Sequence, residues 1–290
     1  MTQVSTGSEP EPKPLVTVII PTFNRARFLE RSVRSVLDQS YRNIECLVLD
    51  GGSKDGSVEI LARLAAEDSR LKYISEPDKG EVFATNRGLD MAKGEIVAFQ
   101  ASDDRYMPEA VATSVQFLLD HPTCIGVSGD SLFVDEHGND LGRGMITYRG
   151  RMAKSTLKKV LILRFAMSPL NHQAFFGWRE RLLKHGKFNP EFSLTTDLEF
   201  YLRLLAAGEE IGCIPRVQIQ STQHPEMGGQ KHFAKAQAQR MHIYKIHGLT
   251  SVDQFLRISV GRIASYFANP YRTPLFSGLN REIKQWLSRS

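Results

Sequence analysis

Residues 95–104 read Glu-Ile-Val-Ala-Phe-Gln-Ala-Ser-Asp-Asp, an apolar run that ends in two adjacent aspartates. Residues 96–99 are apolar at every position, which is typical of a buried strand in a parallel sheet that helices cover on both faces. Ligands of open α/β sheets bind at the carboxyl ends of strands, where Asp103 and Asp104 are predicted to lie. A divalent cation bound through hard oxygen ligands would stabilise this carboxylate pair. The alternative is a solvated turn in which one aspartate caps the next helix.

Strands and helices alternate on both sides of this stretch. The pattern predicts strands at 15–20, 44–49, 71–75 and 96–100, and helices at 25–39, 57–67 and 82–91. Such a series implies a mostly parallel central sheet that is flanked by helices and connected by right-handed crossovers. This is the α/β, or Rossmann-like, class. Further on, the pattern predicts helices at 108–119 and 196–207 and strands at 125–134, 173–177 and 211–220.

The composition disfavours several classes of protein. Cys46, Cys124 and Cys213 lie far apart without CxxC spacing, so we expect free thiols in a reducing, cytoplasmic compartment rather than disulfides or a zinc site. Apolar runs stay well short of the ~20 residues that span a bilayer. The chain carries no recognisable DNA- or RNA-binding module, so nucleic acid is not an expected partner.

Positive charge is concentrated near the C-terminal end. Residues 231–290 hold ten Lys or Arg residues against Asp253 and Glu282, whereas the whole chain has a net charge of +5. A basic helical region with apolar residues such as Phe255 and Tyr266 would suit peripheral contact with anionic lipid headgroups at the inner face of the membrane. The interpretation that we prefer is a solvated helical tail packed on the domain.

Polar residues also follow the other predicted strands. Pro21 and Thr22 end the first strand, Asp50 ends the second, and Asp78 follows the third. Because the carboxyl ends of the strands converge on one edge of the sheet, these residues are predicted to line a single cleft together with the Asp103–Asp104 pair.

The residue types of this cleft suit a nucleotide. A carboxylate such as Asp50 or Asp78 can accept hydrogen bonds from ribose hydroxyls or from a base, and the cations of Arg25, Lys79 and Arg87 can pair with phosphates.

Two common nucleotide-binding motifs are missing from the chain. The first βα turn, Pro21-Thr-Phe-Asn24, contains no glycine, so the GxGxxG motif of dinucleotide-binding oxidoreductases is absent there. The chain also lacks GxxxxGK[ST], which disfavours P-loop phosphoryl transfer. The remaining interpretation is a nucleotide bound through a metal rather than through a glycine-rich loop.

Four motifs carry a resemblance to a known family: 16–25 (VTVIIPTFNR), 35–41 (SVLDQSY), 50–56 (DGGSKDG) and 86–104 (from Asn-Arg-Gly to Ala-Ser-Asp-Asp). In this order they resemble the family 2 glycosyltransferases with the GT-A fold. The resemblance covers residues 15–210, and Glu76-Pro-Asp-Lys-Gly80 is similar to a bacterial polysaccharide-assembly branch. It implies a nucleotide-sugar donor, usually a UDP-sugar, with Mg²⁺ or Mn²⁺ and inversion at the anomeric carbon.

The resemblance also implies roles for individual residues. Asp104 matches the metal ligand, and Asp103 would contact the ribose or the sugar, directly or through metal-bound water. Thr22, Asp50 and Asp78 match nucleoside-binding positions. The motif is Ser-Asp-Asp instead of Asp-x-Asp, which leaves the division of roles between the two aspartates open. The full predicted donor set is Pro21, Thr22, Asn24, Arg25, Asp50, Asp78, Lys79, Arg87, Asp103 and His172.

The general base is expected in the second half of the chain. Residues 195–203 resemble the acceptor-side helix of the family, and Asp197 matches the acidic residue that takes the proton of the acceptor hydroxyl. The N-terminal end of a helix keeps a carboxylate ionised, which suits a base. A simple helix-capping aspartate is the alternative, and Glu199 is the rival base.

Two histidines are further candidates. His172, in Asn171-His-Gln-Ala-Phe-Phe176, could contact the donor sugar or the acceptor, or be a structural histidine. His224 lies in a segment that could close over the diphosphate, and it is a candidate third metal ligand beside Asp103 and Asp104; a solvated loop histidine is the alternative.

The predicted function is therefore an inverting, metal-dependent hexosyltransferase that uses Mg²⁺ or Mn²⁺ and acts on a saccharide or lipid-linked saccharide. One rival is a sugar-phosphate nucleotidyltransferase, which would carry a glycine-rich loop after the first strand. Another is a non-catalytic sugar-nucleotide-binding protein. The predicted organisation is a disordered lead-in (1–14), a GT-A domain (15–225) with a nucleotide-binding part (15–105) and an acceptor side (106–225), and a helical C-terminal extension (226–290).

Overall fold

The computed structural model describes residues 13–143, 170–225 and 233–247. The strands of this part are β1 (Val16–Thr22), β2 (Ile44–Asp50), β3 (Leu71–Ser75), β4 (Ile96–Phe99), β5 (Arg105–Tyr106), β6 (Cys124–Val134), β7 (Asp140–Arg143), β8 (Phe175–Trp178) and β9 (Glu210–Thr222). The helices are α1 (Ala26–Leu37), α2 (Ser57–Glu67), α3 (Glu81–Met91), α4 (Ala110–Asp120), α5 (Arg179–Lys184), α6 (Thr196–Ala206) and α7 (Phe233–Ile246).

The described strands form a single sheet in the order β3-β2-β1-β4-β8-β6-β9-β5, with β7 paired to β6. The first four are parallel to one another, as predicted. β8 runs antiparallel to both β4 and β6, and β6 is parallel to β9. The predicted α/β class with a central sheet between helices is confirmed, and its parallel half carries the strand ends on which the predicted cleft depends.

The core lies on both faces of the sheet. Along β1 and β4, alternate side chains enter opposite layers: Ile19 and Phe99 pack with α3 and α6, whereas Val18 and Ala98 pack with α1 and α4. Two-sided burial explains why these strands read as continuous apolar runs.

Most predicted elements have the expected positions. α2 and β3 have the predicted bounds, while the strand predicted at 173–177 begins at Phe175 because His172–Ala174 forms a 3₁₀ turn. All three cysteines are buried and free, and burial raises the pKa of the Cys213 thiol to about 12.

Parts of the predicted organisation lie outside the described residues. These are residues 1–12 of the lead-in, residues 144–169 of the acceptor side, and residues 226–232 and 248–290 of the C-terminal extension, including most of the basic region. α7 belongs to the extension and packs against α6. Of the helices in the described ranges, none is long and apolar enough to cross a membrane.

Candidate active site

A cavity of about 680 Å³ opens at the carboxyl ends of β1, β2 and β4. Six residues of the predicted donor set line it: Pro21, Thr22, Asn24, Arg25, Asp78 and Asp103. The hydroxyl oxygen of Thr22 is buried and has no hydrogen-bond partner among the described atoms. The strand ends therefore converge as the sequence predicts, and they leave polar groups that a ligand can engage.

The loop after β1 is tied to the loop after β2. Asn24 has a left-handed backbone (φ 51°), which asparagine tolerates better than most residues. Its side-chain oxygen accepts a hydrogen bond from the backbone N of Lys54 (2.9 Å), and its own backbone N donates to the hydroxyl of Ser53 (2.7 Å). Asn24 thus holds two walls of the cavity together.

Asp50 lies behind the cavity wall and is 2% exposed. Its carboxylate accepts hydrogen bonds from the backbone N of Gly52 (3.1 Å) and of Ser53 (3.0 Å), and from the hydroxyl of Ser75 (2.6 Å). The Ser53 hydroxyl also donates to it. Local groups therefore use most of the acceptor capacity of Asp50, and its position organises the loop of residues 51–53.

Asp78 faces the cavity beside two residues that sequence reasoning missed. A Cβ on Gly51 would lie 3.3 Å from both Asp78 carboxylate oxygens and 3.3 Å from the Phe23 ring. Phe23 is 57% exposed although it lines the cavity. Gly51, Phe23 and Asp78 thus form one wall, in which an exposed aromatic ring adjoins a carboxylate.

Lys79 and Arg87 line a second, adjoining cavity of about 240 Å³ together with Asp50 and Asp78. Arg87 forms an ion pair with Glu76. The Lys79 ammonium lies 5.9 Å from the centre of the Phe83 ring. These two cations therefore lie beside the larger cavity, and Asp78 lines both cavities.

The acidic turn after β4 meets the end of β9. Nε2 of His224 lies 2.9 Å from Oδ2 of Asp103, and Nε of Arg25 lies 3.8 Å from the same oxygen. Asp104 is 4% exposed, and its Oδ1 accepts a hydrogen bond from the backbone N of Thr222 (2.8 Å). Burial and the neighbouring Asp103 carboxylate raise the pKa of Asp104 well above its usual value.

The chemistry of this turn fits a divalent cation. Asp103 and Asp104 supply hard carboxylate oxygens, and His224 supplies an imidazole whose Nδ1 is buried without a partner in the described part of the chain. A bound cation would offset the charge repulsion that raises the pKa of Asp104. In the described residues, however, no three His, Cys, Asp or Glu side chains are arranged closely enough to hold an ion.

Asp197 lies in the first turn of α6, after the N-cap residue Thr195. Its negative charge acts on Glu81, which lines the large cavity. Desolvation and the carboxylates of Asp103 and Asp197 raise the pKa of Glu81, although its side chain is exposed on the surface of the protein. Asp197 itself is not among the residues that line this cavity.

The rival base, Glu199, is engaged elsewhere. Its two carboxylate oxygens accept hydrogen bonds from Nε and Nη2 of Arg203 at 2.8 and 2.9 Å. Because both of its oxygens are engaged by Arg203, Glu199 is the weaker candidate for the general base, and Asp197 is preferred.

His172 is partly buried between aromatic rings. Its Nδ1 lies 2.7 Å from the hydroxyl of Tyr201, and its ring stacks on Phe99 with 4.9 Å between centroids. Desolvation lowers the pKa of His172, and the charge of Asp197 partly opposes this effect. His172 therefore lies between the core and the neighbourhood of Asp197.

Glu81 is a further cavity residue that sequence reasoning missed. It follows Gly80, the N-cap residue of α3, which has φ 114°. A glycine directly before an acidic residue in the first turn of a helix was the sequence feature that could have identified Glu81. Phe23 and Gly51 had no signal of their own, because each looks like an ordinary loop residue in the sequence.

Comparison with known proteins gives a family match. The family model described as Glycosyl transferase family 2 matches residues 17–182. An uncharacterized glycosyltransferase of Mycobacterium tuberculosis is 34% identical, over 68% of this chain and 71% of the relative. The putative teichuronic acid biosynthesis glycosyltransferase TuaG of Bacillus subtilis is 34% identical, over 43% of this chain and 50% of the relative.

A third relative belongs to Campylobacter jejuni and is named GalNAc(5)-diNAcBac-PP-undecaprenol beta-1,3-glucosyltransferase. It is 30% identical, over 62% of this chain and 56% of the relative. The chain thus spans about half the length of the Bacillus and Campylobacter relatives.

Two solved structures have a similar fold. S. aureus TarS, in complex with UDP-GlcNAc, has a TM-score of 0.60 at 19% identity, over 73% of this chain and 60% of that one. The mannosyltransferase PcManGT of Pyrobaculum calidifontis, in complex with GDP-Man and Mn²⁺, has a TM-score of 0.57 at 20% identity, over 93% and 86%. These likenesses confirm the fold that the sequence motifs imply.

Proposed function

The chain belongs to glycosyl transferase family 2 and is a glycosyltransferase, and we propose that it transfers a sugar with inversion from a nucleotide-sugar, a UDP-sugar, to an acceptor hydroxyl. The observation that carries this proposal is the cavity of about 680 Å³, which brings Thr22, Arg25, Asp78 and Asp103 to one edge of the sheet. Family membership removes the nucleotidyltransferase and the non-catalytic binding protein from consideration.

The donor would bind with its base at one end of the cavity and its diphosphate at the other. The wall formed by Phe23, Gly51 and Asp78 offers an aromatic face and a carboxylate acceptor, which together suit a nucleobase. Arg25, whose Nε lies 3.8 Å from Oδ2 of Asp103, would receive the diphosphate beside the acidic turn, since a guanidinium suits a phosphate. In this arrangement the bound donor would run along the strand ends from its base to its diphosphate and sugar.

A divalent cation, Mg²⁺ or Mn²⁺, would be held by Asp104 and Asp103, while His224, whose Nε2 lies 2.9 Å from Oδ2 of Asp103, would orient that carboxylate. Its contribution would be to stabilise the charge that develops on the leaving diphosphate. Two adjacent carboxylates, of which Asp104 is buried, support this proposal because they supply the hard oxygen ligands that such a cation prefers. The Mn²⁺ in the PcManGT complex is consistent with it.

Asp197 would act as the general base. As the acceptor oxygen attacks C1 of the sugar, its proton passes to the Asp197 carboxylate, and the bond between C1 and the diphosphate oxygen breaks. One base and no enzyme nucleophile are needed for inversion. The position of Asp197 in the first turn of α6 and the effect of its charge on the cavity residue Glu81 support this role.

The proposed donor and acceptor follow the chemistry of the relatives. TarS binds UDP-GlcNAc, whereas PcManGT binds GDP-Man, so the choice of UDP rests on the resemblance together with TarS. The names of the Bacillus and Campylobacter relatives support a glycan or lipid-linked saccharide as acceptor. We propose a cytoplasmic location, with residues 15–225 as the catalytic domain, 15–105 as its nucleotide-binding part, and the 226–290 region as a helical extension packed on that domain.

The proposal is tested by separating donor binding from turnover. Binding of UDP with Mn²⁺ is measured by calorimetry, and release of nucleoside diphosphate is measured with a panel of UDP-glucose, UDP-galactose, UDP-GlcNAc and GDP-mannose. We expect Asp104→Ala to abolish Mn²⁺-dependent UDP binding. Asp197→Asn should keep the affinity for UDP but lower turnover by at least about 100-fold, the usual contribution of a general base.

Glu180→Gln is the matched control, since Glu180 is a first-turn helix carboxylate whose side chain is 86% exposed. It should behave as the wild type. Full turnover in Asp197→Asn would refute the assignment of the base, and metal-independent UDP binding would refute the metal site.

A further inference from the structure

One side chain of α7 reaches the segment in front of Asp197. Oε1 of Gln239 accepts hydrogen bonds from the backbone N of Leu194 (3.0 Å) and from the hydroxyl of Thr195 (3.3 Å). Nε2 of Gln239 donates to the backbone carbonyl of Glu191 (2.8 Å). A single amide side chain therefore holds three groups of the chain that leads into α6.

Thr195 explains why this contact affects α6. It is the N-cap residue of that helix, where a threonine hydroxyl usually accepts a hydrogen bond from a backbone N–H of the first turn. Within the described helix, Thr195 makes no such capping bond. Its hydroxyl donates to Gln239 instead, and the residue is 1% exposed. The entry of α6 is thus held by a residue of α7 in place of its own cap.

The rest of α7 is fixed against the same region. The ring of His242 stacks on Phe192 with 5.7 Å between centroids. Ile243 and Tyr244 are buried in the core layer that contains Leu198 of α6. Gln239 therefore extends from an anchored helix, which is what a positioning contact requires.

We infer that Gln239 is a positioning residue for Asp197. Asp197 is the second residue after Thr195, so a shift at the helix entry moves the Asp197 carboxylate relative to the acceptor oxygen. Misplacement of a reacting group by ~1 Å can cost on the order of 100-fold in rate. The inference rests on the proposed role of Asp197 as the base.

The test compares substitutions at Gln239 that keep or remove its acceptor oxygen. Gln239→Met keeps the length of the side chain but loses all three bonds, and we expect kcat for the best donor of the panel to fall about tenfold, with the Kd for UDP and Mn²⁺ unchanged. Gln239→Glu keeps the acceptor for Leu194 and Thr195 but sets a carboxylate oxygen against the Glu191 carbonyl, so its kcat should lie between those of Gln239→Met and the wild type. Lys235→Ala, an exposed change on the same helix, should match the wild type.

Each outcome decides the inference. Should Gln239→Met fail to fold, Gln239→Ala replaces it, with folding checked by thermal unfolding. Wild-type kcat in the variant without the bonds, or a parallel loss of UDP binding, would overturn the positioning role. Asp197→Asn is assayed alongside: if it keeps full turnover, the proposed base and this inference both fail. If it is inactive while the Gln239 variant keeps the wild-type kcat, only this inference fails.

Discussion

Nε2 of His224 lies 2.9 Å from Oδ2 of Asp103, across 121 residues of the sequence. This contact joins the end of β9 to the acidic turn after β4. Nδ1 of the same ring is buried and has no hydrogen-bond partner within the described residues. His224 also packs against Phe28, with 4.8 Å between ring centroids, so its ring is held in place.

A change at His224 should weaken metal-dependent nucleotide binding. Loss of an imidazole that binds or orients a metal ligand typically lowers metal affinity by about 10- to 100-fold. We therefore expect His224→Ala to reduce the affinity for UDP in Mn²⁺ by at least about tenfold, measured by calorimetry. His137→Ala, at an exposed histidine, is the control. Unchanged affinity in His224→Ala would exclude His224 from the donor site.

Asp104 offers a variant that separates stability from metal binding. Asp104→Asn removes a buried negative charge beside Asp103 and keeps an oxygen for the Thr222 N–H. Without metal, its unfolding midpoint should equal or exceed that of the wild type. Asp104→Ala leaves that N–H unpaired, which costs about 1–3 kcal/mol of unfolding free energy. Both variants should lose the thermal shift that Mn²⁺ and UDP produce together; a retained shift would contradict the assignment.

The sequence predicts the parallel half of the fold and the converging strand ends well, because burial on both faces makes β1, β2 and β4 continuous apolar runs. It predicts contacts between distant segments poorly. The bond between His224 and Asp103 and the bonds of Gln239 depend on how β9 and α7 pack, which no local pattern encodes. The family match also ends at residue 182, before all three of the segments that carry Asp197, His224 and Gln239.

Asp50 and Asp78 should respond differently to loss of charge. Asp50 is buried and accepts several hydrogen bonds, so Asp50→Asn should cost about 1–3 kcal/mol of unfolding free energy, measured by urea titration. Asp78 lines the cavity, so Asp78→Asn should keep its stability and bind UDP more weakly. If Asp50→Asn is as stable as the wild type but loses UDP binding, Asp50 contacts the nucleotide directly, as the sequence pattern predicted.

Gly51→Ala tests the wall that would receive the base. The added Cβ would lie 3.3 Å from the Asp78 carboxylate and from Phe23, so these side chains must move by a few tenths of an ångström. We expect UDP affinity to fall about fivefold, or ~1 kcal/mol. Gly56→Ala is the control, since its φ of 95° makes the change strained while nothing lies within 4 Å of the new atom. It should lose stability without losing affinity; the same pattern in Gly51→Ala would exclude this wall.

His172 should make the stability of the protein depend on pH. Desolvation lowers the pKa of His172 in the folded state, so between that value and about 6.5, the ordinary value of histidine, the unfolded chain binds more protons. Stability therefore rises with pH in this window and falls as the pH drops below about 6.5. In His172→Gln the decline between about pH 7.5 and 5.5 should be shallower, measured as the unfolding free energy in urea. An unchanged slope in His172→Gln would show that His172 is protonated as readily in the folded state as in the unfolded chain.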